Sequence, residues 1–113
     1  MSKHVVFISL PMSGIPDDMI REDIQKAKDA YLVVTKRNIQ DVAFVDNMSC
    51  QMPVGTVQKE GVWYLGEALK LLSKCDEAFF WLGWRGARGC TVEHDVCVLY
   101  HIPMISVEED YLG

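Results

Sequence analysis

The 113-residue sequence has few features of membrane, nucleic-acid-binding or disulfide-rich proteins. The apolar run at residues 5–8 is too short for a signal peptide or a membrane-spanning helix. Sixteen acidic residues outnumber eleven basic ones, and the net charge of −5 argues against a polyphosphate partner such as DNA. The four cysteines form no C-x-x-C pair, and a chain that is 50% hydrophobic needs no disulfides to fold. We therefore expect a cytoplasmic protein with reduced thiols, no membrane contact and no nucleic-acid polymer as partner.

Four potential metal ligands follow one another near the end of the chain. Cys90, His94, Cys97 and His101 are spaced by four, three and four residues, which places them on one stripe of a helix. Such a stripe extends over roughly 16 Å, so four side chains on it cannot converge on one tetrahedral ion. We expect a helix face that packs against a neighbour, and no metal.

The sequence also lacks linkers, repeats and low-complexity tracts, so we expect residues 1–113 to form a single domain. Three tryptophans, four tyrosines and four phenylalanines leave a large aromatic surface to bury in so short a chain. A good core or a subunit interface can accommodate it. We expect a homo-oligomer, either a dimer or a tetramer.

Apolar strands alternate with helical patterns along the chain. We predict strands at about 4–10, 42–45, 78–82 and 103–106, and a first helix that begins at Asp17 or Asp18. The second helix ends at Cys75-Asp76. This alternation predicts an α/β three-layer sandwich, in which a small parallel sheet has helices on both faces. The residues predicted to face the core are, helix by helix, Ile20, Ile24, Ala27, Tyr31 and Val34; Val62, Leu65, Leu69 and Leu72; and Val92, Val96 and Leu99.

The segment at 79–95 combines a buried strand, a glycine-rich turn and the start of a helix. Gly83, Gly86 and Gly89 allow the backbone to turn tightly. The amino end of a helix exposes unpaired N–H groups and partial positive charge, so phosphate or sugar oxygens are natural ligands there. The junction can therefore bind an anion and aim the carboxylate of Glu93 at it. Without further information, the simpler interpretation is that Glu93 only complements the helix dipole.

Ligands of parallel α/β sheets bind beyond the carboxyl ends of the strands. The loops after Leu10, Asp46 and Leu82 should therefore surround one pocket. Four of its residues have alternatives. Ser9, Ser13 and Gly14 can simply build a turn, although Ser13 with Gly14 can also form an anion cradle, and Trp84 either stacks on a nucleobase or packs in the core. The residues predicted to meet at this pocket are Ser9, Ser13, Gly14, Asp46, Trp84, Arg88 and Glu93.

Three parts of the chain together carry a resemblance to a known family. These are VFISLPMSG at residues 6–14, the helix from Trp63 to Asp76, and the turn with Gly83-Trp84, Arg88-Gly89 and Glu93. They resemble the nucleoside 2-deoxyribosyltransferase-like superfamily, which includes 2′-deoxynucleoside 5′-monophosphate N-glycosidases. The likeness covers most of the chain and is greatest to a short branch with an I-S-G-P-M-T-G-like start.

This resemblance implies a flavodoxin-like or Rossmann-like sheet and an activity on the N-glycosidic bond of a nucleoside or nucleotide, either cleavage or exchange. It implies that Glu93 is the nucleophile, that Glu67 protonates the departing base, and that Asp76 is a second acid. No cofactor is implied, and a neighbouring subunit often completes the pocket in this superfamily. The substrate-binding residues implied are Ser9, Met12, Ser13, Gly14, Asp46, Trp84, Arg88 and Gly89.

The sequence departs from the family pattern at three positions. Phe7 stands where relatives have a tyrosine whose hydroxyl orients the nucleophile, and Leu10 replaces a glycine. Ala87 replaces a serine that contacts phosphate in the monophosphate hydrolases, although Arg88 can pair with phosphate as a bidentate donor. These changes favour an alternative function, a non-catalytic protein that binds or sequesters a nucleotide.

Overall fold

The computed structural model describes residues 2–108, which contain four strands and three α-helices. Two short 3₁₀ helices, Ile39–Asp41 and Trp84–Gly86, lie in the connections. The described part of the chain has no helix that is long and apolar enough to span a membrane. In chain order, the elements are β1 (His4–Ser9), α1 (Asp17–Thr35), β2 (Val42–Val45), α2 (Glu60–Leu72), β3 (Glu77–Phe80), α3 (Arg88–Leu99) and β4 (Met104–Ser106).

The four strands form one parallel sheet in the order β2-β1-β3-β4. Successive residues of β1 alternate between two apolar clusters, as the pleat of a strand requires. Val6 and Ile8 pack with α1, whereas Phe7 packs with α2 and α3. The helices therefore cover both faces of the sheet, which confirms the predicted three-layer α/β sandwich.

The rotation of the helices differs from the prediction at several positions. Val34, Val62 and Leu99 were expected in the core, but they are 47%, 68% and 72% exposed. In α2, Ala68 and Leu72 face the sheet, and Val62 lies about 240° around the helix from Ala68. Val34 lies in the last turn of α1, beyond the buried residues. The predicted inward faces of α2 and α3 are thus wrong in part.

The buried face of α3 consists of Cys90, Glu93 and Cys97. These residues are spaced by three and four, so they form one stripe, and Val92 and Leu99 lie outside it. The end of α2 is also corrected: the helix stops at Leu72, and Asp76 directly precedes β3. The three residues between them form a turn, in which the Cys75 N–H donates to the Leu72 carbonyl at 3.0 Å.

Candidate functional site

The connections that follow the two central strands, β1 and β3, lead to opposite sides of the sheet. This makes a topological switch point between them, where ligands of this architecture commonly bind. From β1 the chain crosses through α1 to β2 on one side, and then returns through α2 to β3 on the other side. The carboxyl ends of β1 and β3 lie side by side, because Ser9 pairs with Phe80 and the Trp81 N–H donates to the Ser9 carbonyl at 2.9 Å.

Glu93 reaches this switch point from the second turn of α3. The Ser9 hydroxyl donates a hydrogen bond to Glu93 Oε1 at 2.7 Å, and the two residues are only 2% and 6% exposed. Burial raises the pKa of Glu93 from 4.5 to about 7, and the hydrogen bond from Ser9 opposes this rise. The carboxyl group therefore exists in both protonation states near neutral pH.

Two buried thiols lie on either side of Glu93 along the helix. Cys90 is one turn before it and Cys97 one turn after it. Burial, with a smaller contribution from the charge of Glu93, raises the pKa of each thiol to about 11. At neutral pH they are uncharged, weakly polar neighbours of the carboxyl group.

The four residues of the predicted stripe differ in burial, since Cys90 and Cys97 are buried whereas the two histidines are not. His94 is half-buried against Trp84, and His101 lies beyond the end of α3 with a positive φ of 58°. Among residues 2–108, no group of three His, Cys, Asp or Glu side chains is arranged to hold a metal ion.

Trp84 is buried in the turn between β3 and α3, with only 5% of its surface exposed. Its indole stacks on the His94 imidazole with 4.3 Å between ring centroids, and the Arg85 guanidinium carbon lies 4.7 Å from the Trp84 ring. Phe80 packs against the same ring. Of the two alternatives for Trp84, the burial of its ring supports packing in the core.

The start of α3 lies next to the Glu93 carboxylate. A side-chain Cβ at Gly89 would lie 3.9 Å from Glu93 Oε2, so the glycine leaves space beside this oxygen. Arg88 is the first residue of the helix and its side chain is exposed. The structure thus brings Ser9, Gly89 and Glu93 together at one corner of the sheet, and Arg88 precedes Gly89 in the chain.

Beyond Ser9, the loop after β1 contacts the turn before α3 through Pro11, which lies beside Gly83. Leu10 is buried on the α1 face, and Met12 packs against the same side of the sheet. Ser13 and Gly14 form an exposed turn, in which Gly14 has a φ of 75° and the Ile15 N–H donates to the Met12 carbonyl. These residues are placed as the predicted turn.

An open cleft of about 470 Å³ lies at the carboxyl end of β2. The Asp46 carboxylate accepts a hydrogen bond from the Met48 N–H at 2.9 Å beside it. Neither Ser9 nor Glu93 lines this cleft, so Asp46 and the Glu93 corner are not parts of one cavity. Arg21 is exposed on α1, and no sequence pattern distinguishes it from other surface cations. The lining residues are Arg21, Phe44, Val45, Asp46, Met48, Ser49 and Leu71.

The two predicted acids lie on different elements of the fold. Glu67 is half-buried on α2, where Lys70 Nζ lies 3.1 Å from its Oε1. The pKa of the Cys50 thiol is raised mainly by burial and then by the charge of Glu67. Asp76 lies at the amino end of β3, where its Oδ2 accepts a hydrogen bond from the Val5 N–H at 2.8 Å. Glu93 is at the opposite, carboxyl end. Asp76 therefore has a structural role, which corrects its prediction as a second acid.

Comparisons of the chain with protein-family models, with curated proteins and with solved structures find no match.

Proposed function

We propose that this protein cleaves or exchanges the N-glycosidic bond of a (deoxy)nucleoside or nucleotide, with Glu93 as the nucleophile. One observation carries the proposal: a buried carboxyl group with a pKa of about 7 is held by Ser9 at the switch point of the sheet. Active sites commonly contain such displaced pKa values in this position of the fold. The resemblance of the turn around Glu93 to the deoxyribosyltransferase-like superfamily supports the same reaction.

The reaction requires the deprotonated form of Glu93. A carboxylate oxygen attacks C1′ of the sugar as the bond from C1′ to the base nitrogen breaks, which forms a glycosyl ester. The base leaves with the electron pair of the broken bond and takes a proton from a general acid. Water or a second base then attacks C1′, releases the Glu93 carboxylate and gives net retention at the anomeric carbon.

The surroundings of Glu93 suit this chemistry. The transition state has positive charge on the sugar ring, and a carboxylate shielded from water interacts more strongly with that charge than an exposed one. Glu67 remains the candidate general acid, because α2 and α3 pack on the same face of the sheet. Arg88 is the candidate ligand of a substrate phosphate, since it is exposed at the start of α3.

The test is release of free base from a panel of deoxynucleosides, ribonucleosides and their 5′-monophosphates, followed by chromatography. Glu93→Gln should abolish release, because the amide cannot form the ester. Asp95→Asn is the matched control, since Asp95 is an exposed carboxylate on the same helix and should be dispensable. Full activity of Glu93→Gln would rule out the proposal.

The same assay distinguishes hydrolysis from transfer. When a second base is added, a transferase should produce a new nucleoside, whereas a hydrolase should release only free sugar and base. Glu67→Gln should slow release most for the poorest leaving bases, because these depend most on protonation.

A second candidate is a protein that binds a nucleotide without turnover. The observation in its favour is that Glu93 is only 6% exposed and does not line the described cleft. Phe7 also offers no hydroxyl to the carboxylate. Calorimetric binding of one member of the panel, with no base released on long incubation, would support this candidate over the enzyme.

We also propose that the protein is a homo-oligomer. Leu99 and Tyr100, at the end of α3, are 72% and 75% exposed, and Val98 beside them is 52% exposed. Three consecutive exposed apolar residues favour an interface. Sedimentation of the wild-type chain should show a dimer or tetramer, and Leu99→Glu should shift it towards monomer. A wild-type monomer at micromolar concentration would contradict this part of the proposal.

A further inference from the structure

We infer that Ser9 is a positioning residue, whose hydroxyl fixes the orientation of the Glu93 carboxylate so that Oε2 is the oxygen presented to the substrate. The catalytic meaning of this inference rests on the proposed function. The orientation itself is a property of the folded chain and can be measured without any substrate.

The sheet and α3 bring the two side chains together from opposite sides. The pleat of β1 directs Ser9 to the face covered by α2 and α3, and Glu93 lies on the buried stripe of α3. Both residues are almost fully buried, so water does not compete strongly for the bond. Phe7, the other core-facing residue at this end of the strand, has no polar atom with which to bind the carboxylate.

The two carboxylate oxygens have different surroundings. Oε1 accepts the hydrogen bond from Ser9 at 2.7 Å. Oε2 lies beside Gly89, where an added Cβ would be 3.9 Å away, in ordinary van der Waals contact, and a larger side chain would cover the oxygen. An oxygen engaged by a strong donor is a poorer nucleophile than a free one, so Oε2 is the better placed to attack a sugar carbon.

The neighbouring thiols do not provide an alternative titrating group. A hydrogen bond with Ser9 lowers the pKa of Cys90 against the larger effect of burial, which leaves it at about 11, and Cys97 has a similar value. Both stay protonated across the range in which Glu93 titrates. A change of pH between 5 and 9 at this corner therefore does not act through these thiols.

Removal of the hydroxyl should leave the proton on Glu93 more tightly bound. Ser9→Ala should raise the pKa of Glu93 by roughly one unit or more, because a hydrogen bond to a charged group is lost. Ser9→Thr retains a hydroxyl and should restore the wild-type value. Cys97→Ala is the matched control, since it removes a buried polar atom from the same stripe without touching Oε1.

The titration is measured by NMR of the protein labelled with ¹³C at glutamate side-chain carboxyls, with Glu93 assigned by its absence in Glu93→Gln. Ser9→Cys, which keeps the size of the side chain and weakens the donor, serves if Ser9→Ala does not fold. An unchanged Glu93 titration in a folded Ser9→Ala or Ser9→Cys variant would overturn the inference.

Activity adds a second, separate readout. In base release, Ser9→Ala should displace the rising limb of the pH profile to higher pH and lower kcat about tenfold at pH 7, with little change in KM. Gly89→Leu should block access to Oε2 and abolish release, while Gly89→Ala should retain it. If even the wild type releases no base, the proposed function fails, whereas the NMR titration still decides whether Ser9 controls the carboxylate.

Discussion

The imidazole of His94 stacks on the indole of Trp84 with an angle of 18° between the ring planes. This contact joins the second turn of α3 to the turn that follows β3, directly beside Glu93. The His94 ring covers a face of the Trp84 indole on which a nucleobase would otherwise stack. The position of Glu93 thus depends partly on an aromatic pair in which Trp84 is buried and His94 is half-buried.

His94→Ala should lower the free energy of unfolding by about 1 kcal/mol or more, because the stacking contact and its buried area are lost. His101→Ala is the matched control. That histidine is exposed beyond α3, and its replacement should leave stability within about 0.5 kcal/mol of wild type. Urea denaturation measures both variants, and equal stability of the two would show that the stack contributes nothing.

Stability should fall as the pH rises between about 4.5 and 7. Burial raises the pKa of Glu93 in the folded chain, so over this range the unfolded chain loses a proton that the folded chain keeps. A pKa of about 7 instead of 4.5 corresponds to a loss of about 3 kcal/mol, which is complete above the folded value. The free energy of unfolding is measured at pH 5 and pH 8 for wild type and for Glu93→Gln. This part of the pH dependence should be absent from Glu93→Gln. Glu60→Gln, an exposed control, should keep it.

Leu72→Ala should destabilise the protein by about 2–5 kcal/mol, because it leaves a cavity between α2 and the sheet. Leu72 is only 1% exposed, whereas Val62 on the same helix is 68% exposed. Val62→Ala should therefore change stability by less than about 0.5 kcal/mol. Thermal or urea unfolding checks the pair, and a large effect of Val62→Ala would contradict the observed rotation of α2.

Gly83→Ala should cost about 1–2 kcal/mol of stability. Gly83 has a φ of 85°, which an L side chain adopts with strain, and a Cβ there would lie 3.2 Å from the Pro11 Cγ. Gly66→Ala is the opposite case, since Gly66 lies within α2 and a Cβ there meets no atom within 4 Å. That change should stabilise the helix by about 0.5–1 kcal/mol. Similar effects of the two substitutions would contradict the observed turn.

The layered fold was predictable because it depends on local patterns. The short apolar run at Val42–Val45 became β2 with the predicted bounds, and α1 begins at Asp17 as expected. Residues Ile20, Ile24 and Tyr31 repeat at helical spacing and are buried. Such patterns determine backbone conformation over a few residues, and the alternation of strands and helices then determines the order of layers.

The site was less predictable, because it depends on contacts between distant residues. Glu93 and Ser9 are 84 positions apart, and no local pattern shows that they share a hydrogen bond. The bounds of β3 likewise determine two further positions. Trp84 is buried in the turn after this strand, and Asp76 lies at its amino end. A turn residue and a site residue have the same appearance in a sequence.

The amino-acid order is thus sufficient for the element types, the parallel sheet and the choice of Glu93 as a candidate. Only the folded chain decides the rotation of α2 and α3, the burial of Glu93 and its partner. The reason is physical: α3 has apolar residues on more than one side, so its inward face is selected by the fit against the sheet. This fit buries the carboxyl group of Glu93, and the burial raises its pKa to about 7. Burial depends on the surrounding residues and not on Glu93 alone.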